Sequence, residues 1–162
     1  TFRRKKDAEE LSCGFEVYSN LDDLDTDIVY TQEKDKHRFH INTHLVDADQ
    51  QTPVQGAFPV TLDYVYSKQG MSIVVDYCPL TACLVLPVIA APSEVVDITS
   101  KGMLLQKKEG VLEIICVNGM LKVAPTDEDG RIFNPVPGFS FVPLQIFPEG
   151  ENKKIQIEIT YN

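Results

Sequence analysis

From Phe15 onward the apolar residues of this chain recur at every second position almost everywhere, the run Leu84–Ile89 being continuous instead. That period lets a β-strand, and no helix, give each segment one buried face and one wet face. The clearest instance is His37 to Val46. It sets Phe39, Ile41, Thr43 and Leu45 on one side and Arg38, His40, Asn42 and His44 on the other. Val60, Leu62, Tyr64 and Tyr66 alternate with Thr61, Asp63 and Val65, and Lys68-Gln69-Gly70 forms a tight connection into Met71–Tyr77. These two segments are expected to pair antiparallel. Further short strands are expected over Ile28–Gln32, Leu84–Ile89, Val95–Thr99, Met103–Gln106, Val111–Val117, Met120–Val123 and, alternating again, Ile155–Tyr161. Asn118-Gly119 reads as a hairpin turn, with Met120–Val123 as its returning strand. About ten or eleven short strands, with turns every 8 to 12 residues and little or no helix, describe an all-β protein: an antiparallel β-sandwich or a barrel-like relative.

The stiffest stretch is Arg131 to Pro148, with four of the ten prolines, four of the eight phenylalanines and no acid. Such apolar density has to face a core. Pro135, Pro137, Pro143 and Pro148 lack a ladder N–H, so edges, bulges or corners are expected there. Residues 1 to 12 hold the run Arg3-Arg4-Lys5-Lys6 followed by acids, with room for a helical turn or two but no sustained apolar face. They read as a charged N-terminal segment or linker, and residues 13 to 162 as a single β-sandwich domain large enough to bury a core. Thr1 stands where a Met would begin a new chain, so a processed form or a piece of a longer protein is expected.

The net charge is −9. An acidic surface repels phosphate polyanions, which argues against a nucleic-acid partner. No apolar run approaches the roughly 20 residues of a membrane span. Cys13, Cys78, Cys83 and Cys116 follow neither zinc-ribbon nor redox spacing. Cys83 and Cys116 lie in apolar runs and read as core thiols. Cys78 and Cys83 bracket a four-residue turn and are placed to meet if the protein is exported.

His37, His40 and His44 fall within eight residues, but on a strand His40 and His44 stand about 13 Å apart and His37 faces the other way. No two of them can share a metal ion. The row Arg38, His40, Asn42, His44 is instead the candidate ligand-binding site, a polar strip suited to a shallow sugar surface. Asp22, Asp23, Asp25 and Asp27 form an acidic loop. Ile28 in place of the required glycine and Lys34 in place of the bidentate glutamate exclude an EF-hand. A solvated turn is expected there and no cofactor, an irregular calcium site being the alternative. No nucleophile motif, glycine-rich phosphate loop or directed carboxylate pair is present, so no catalytic residue is assigned. Tyr64 and Tyr66 lie on an apolar strand face and are expected in the core.

Three stretches carry a family likeness: Phe58-Pro-Val-Thr-Leu-Asp-Tyr-Val-Tyr66 running into Met71-Ser-Ile-Val-Val75, Gly110-Val-Leu-Glu-Ile-Ile115, and Arg131-Ile-Phe-Asn-Pro-Val-Pro-Gly-Phe139. Over residues 27 to 160 the order of elements resembles the C-terminal β-sandwich domain of heparinase II/III-like polysaccharide lyases. The resemblance implies a non-catalytic module of a larger, exported carbohydrate-active enzyme, periplasmic or extracellular, whose helical toroid holds most of the catalytic groups. Its catalytic tyrosine and histidine motifs match no stretch here. The implied partner is the parent's catalytic domain. The alternative is a self-contained module that binds a carbohydrate or a protein.

Overall fold

A computed structural model describes residues 2–4, 16–53, 58–76, 78, 82–123, 140–151 and 153–162. The described chain is strand and turn with no helix, so none is long and apolar enough to cross a membrane. In chain order the strands are β1 (Phe2–Arg4), β2 (Glu16–Tyr18), β3 (Asp27–Glu33), β4 (Lys36–His44), β5 (Pro59–Ser67), β6 (Gly70–Asp76), β7 (Leu84–Ile89), β8 (Val95–Thr99), β9 (Gly102–Lys107), β10 (Gly110–Asn118), β11 (Met120–Val123), β12 (Phe141–Phe147) and β13 (Ile155–Tyr161). Within the charged N-terminal segment, Phe2–Arg4 pairs with β2 as a strand. Residues 5–15, including Cys13, lie outside the described residues, as do Pro135 and Pro137.

Two antiparallel sheets make the sandwich. The large one has eight strands in the order β3-β4-β5-β6-β13-β10-β9-β8, and the small one three, in the order β11-β12-β7. Period two builds the first directly. Ile155 and Ile157 of β13, Ile73 and Val75 of β6, Ile114 and Cys116 of β10, and Met103 and Leu105 of β9 all turn the same way and are buried. Leu121 of β11, Leu144 and Ile146 of β12 and Val88 of β7 meet them from the small sheet in one apolar cluster. The final strand of this sequence, β13, thus lies inside the large sheet, between β6 and β10. It joins the β3–β6 meander to the β8–β10 meander.

Two expectations need correcting. Asn118-Gly119 is no hairpin: a single residue separates β10 from β11, too few to fold one strand back on the other. Gly119, at φ +125°, bends the chain out of the large sheet, and β11 pairs with β12 of the small one. Pro143 sits in the central strand of the small sheet, not at its edge. On the β11 side the described register reaches Val123 opposite Leu144, the residue next to Pro143. On its other side Pro143 lies opposite Pro87 of the edge strand β7.

Candidate functional site

Strand β4 carries the predicted polar row, and the structure splits it in two. Register puts Asp63 of β5 opposite His40. Asp63 Oδ1 accepts a hydrogen bond from Arg38 Nε at 2.8 Å and lies 2.9 Å from His40 Nδ1. An ionised carboxylate only accepts, so Nδ1 holds the His40 proton and Nε2 is left as the open ring nitrogen. Burial alone would raise the Asp63 carboxyl, but the hydrogen bonds from His40 and Arg38, with their charge, outweigh it and hold the group below its usual value. Asn42 lies further along the row, where its Oδ1 accepts from Thr61 Oγ1 at 3.3 Å.

His44 belongs to a different arrangement. Asp23, from the acidic loop before β3, reaches β4 and is almost wholly covered, its side chain 4% exposed. Its Oδ2 accepts from the His44 amide at 2.7 Å and from Thr43 Oγ1 at 2.8 Å, and its Oδ1 accepts from the Asp25 amide at 3.0 Å. The His44 ring nitrogen Nδ1 stands 3.4 Å away. Thr43, itself buried, lies 3.0 Å from Thr26 Oγ1. Desolvation pushes the Asp23 carboxyl up, and the hydrogen bonds from His44, Thr43 and Asp25 pull it further down, to a net value below the ordinary one. The loop expected as a solvated turn is therefore pinned to β4 by one of its four aspartates. Among the described residues no three His, Cys, Asp or Glu side chains converge as a metal site.

The opposite face of the same strands holds what the sequence reading missed. Tyr30, Phe39 and Tyr64 are register partners across β3, β4 and β5, and so are Gln32, His37 and Tyr66. These residues lie on the face that becomes the core farther along the sheet. At the β3 end the cover is incomplete. All seven residues of β3 are exposed, Ile28 at 58% and Tyr30 at 49%, and Tyr66 of β5 is 42% exposed. Tyr64 packs against the core as expected, but Tyr66 does not. The sheet of eight strands outruns the sheet of three.

The exposed rings are organised. Tyr30 and Phe39 centroids are 5.1 Å apart, and Phe39 meets Tyr66 edge-on at 5.9 Å and 89°. Tyr30 also stacks on His37, with its hydroxyl 2.8 Å from His37 Nδ1. Such contacts fix the rings before anything binds, which lowers the entropy lost when they are covered. Together they form a shallow depression floored by Tyr30, His37, Phe39 and Tyr66.

Cys78, Cys83 and Cys116 are buried thiols. Burial pushes Cys78 up to about 12 and raises Cys116 as well, so neither supplies a thiolate near neutral pH. We expect a maleimide or iodoacetamide to leave Cys78 and Cys116 unmodified in the native protein at pH 8 and to label both in denaturant, read by intact mass and peptide mapping. Labelling of either without unfolding would contradict the burial.

The fold and its surfaces define an all-β sandwich domain, with an ordered core, a hydrogen-bonded polar row and one exposed apolar end. Residues 10–162 match the family model described as the ulvan lyase C-terminal domain. The chain belongs to that family, and is thus a polysaccharide-lyase C-terminal domain. No curated protein and no solved structure matches it.

Proposed function

We propose that this domain is a packing module whose β3–β5 end docks on the catalytic part of its parent polysaccharide lyase. The observation that carries the reading is the run of Ile28, Tyr30, Phe39 and Tyr66 beyond the small sheet. Contiguous apolar surface of this kind, continuous with a core face, is what a domain presents to a neighbour in the same polypeptide. The parent fits the heparinase II/III-like type named by the segments at 58–75, 110–115 and 131–139. It works outside the cytoplasm, because a polymeric glycan must be cut before it can enter a cell.

The test is substitution in the whole lyase. Tyr66→Glu and Tyr30→Glu are expected to lower its melting temperature by about 5 °C. The 162-residue chain measured alone should melt as before, because both side chains are already half in water. Unchanged melting of the lyase would refute the docking role.

A second reading rests on the outer face. Arg38 remains 54% exposed and the His40 side chain 36% exposed, both held in place by Asp63. A row of Arg38, His40 and Asn42, with His44 at its end, suits hydroxyl groups of a neutral glycan. Thermal shift with neutral oligosaccharides, lost in His40→Ala and Asn42→Ala, would establish it. The absence of any shift would leave the packing role.

A further inference from the structure

We propose that an extended segment of the parent lyase, with Lys or Arg near both its ends, adds to β3 as a further strand of the large sheet. The inference rests on the packing role above and specifies how the packing is made. β3 is the terminal strand of its sheet and the most exposed strand in the molecule whose side chains are described. It pairs with β4 in unbroken register from Asp27↔Asn42 to Glu33↔Lys36. Within it there is no proline, lysine or bulge, three of the usual devices that stop a free edge from recruiting another strand, and its only charges are Asp27 and Glu33 at its two ends.

The hydrogen-bonding parity of the edge follows from its hairpin. Two residues, Lys34 and Asp35, connect β3 to β4, so the closing pair Glu33 and Lys36 is hydrogen-bonded. Stepping back by twos, Thr31, Val29 and Asp27 also bond to β4. Ile28, Tyr30 and Gln32 then turn their N–H and C=O groups outward. The two-residue connection between Ser67 and Gly70 gives an independent check. It directs Tyr66, Tyr64 and Leu62 toward β4, where they face His37, Phe39 and Ile41, the residues that the first count turns toward β5. Among the described residues no backbone group outside the sheet bonds to Ile28, Tyr30 or Gln32.

Charge selects the occupant. A second copy pairing antiparallel about Tyr30 would set Asp27 against Glu33 at both ends. Sliding one residue pair in either direction sets Asp25 against Glu33, or Asp27 against Asp35. Like charges directly opposed are destabilising, and the chain already carries −9. A strand with basic residues about 20 Å apart would meet Asp27 and Glu33 instead. Its alternate apolar side chains would lie against Ile28 and Tyr30 and extend the covered face. Backbone pairing would supply affinity, and the charged ends would fix register.

Amide hydrogen exchange compared between the 162-residue chain and the whole lyase tests this. The Ile28, Tyr30 and Gln32 amides are expected to exchange at least about 100-fold more slowly in the lyase. The double variant Asp27→Lys, Glu33→Lys should lose that protection in the lyase, while the melting of the chain alone is unchanged. Equal exchange at the three amides in lyase and chain overturns strand addition. If Tyr66 is nonetheless shielded in the lyase, the packing role survives; if Tyr66 is equally open in both, packing itself has failed. Protection in the chain alone that rises with concentration would make a second copy the occupant, and would overturn the proposal.

Discussion

Gly119→Ala is expected to destabilise the protein by about 3 kcal/mol, from left-handed backbone strain and a forced contact together. Gly119 has φ +125°, and a Cβ built there would lie 2.8 Å from the Phe147 carbonyl oxygen and 3.1 Å from Ile146 Cγ2. Phe147 is the register partner of Met120, so its carbonyl cannot retreat without loosening the β11–β12 ladder. Gly150→Ala separates the two causes. It has φ +68° with nothing within 4 Å of the added methyl, and should cost only about 1 kcal/mol. Denaturant titration of both variants measures the difference. Equal losses would mean that the close approach to β12 is unimportant and that the chain crosses between the sheets more loosely than described.

Asp23→Ala is the second large effect, also about 3 kcal/mol, because three donors lose a charged acceptor and two of them, on Thr43 and His44, sit at the buried foot of β4. Asp23→Asn keeps the shape but removes the charge, and should fall between alanine and the native residue. The acid dependence has a definite sign. The folded Asp23 carboxyl lies below its ordinary value of 3.8, so its stabilisation is complete above that value and fades as pH falls through the lower folded value. In the asparagine variant this part of the acid dependence should vanish, measured as melting temperature against pH from neutrality to pH 2. A variant that kept the full native acid slope would show that Asp23 is not the group responsible.

Both predictions concern features only half legible in the sequence. Alternation identified β4, β5 and β13 residue by residue, because a strand with one wet face writes its burial into every second position. The turn at Lys68-Gln69 was legible for the same local reason. Asn118-Gly119 was not, since a glycine that reverses a hairpin and one that moves a strand to the other sheet look alike until the partner strand is known. Tyr66 was misplaced for a related reason. Its alternation is that of a core residue, but nothing local reveals that the cover reaches Val60, Leu62 and Tyr64 of β5 and stops short of Tyr66. Asp23 is the acid that matters among four, and only the fold that brings Thr43 and His44 to it makes the choice. The row Arg38, His40, Asn42, His44 was found as a row, whereas its division between Asp63 and Asp23 depended on strand register.

The most direct measurement is chemical labelling of tyrosine in the whole lyase and in this chain alone, with peptide mapping of Tyr30 and Tyr66. Docking through the β3–β5 end requires both rings to be labelled in the chain and shielded in the lyase, while Tyr161, exposed at the end of β13, is labelled in both. Equal labelling of Tyr30 and Tyr66 in the two proteins would contradict it, and would leave the aromatic end of the sheet open to solvent in the working enzyme.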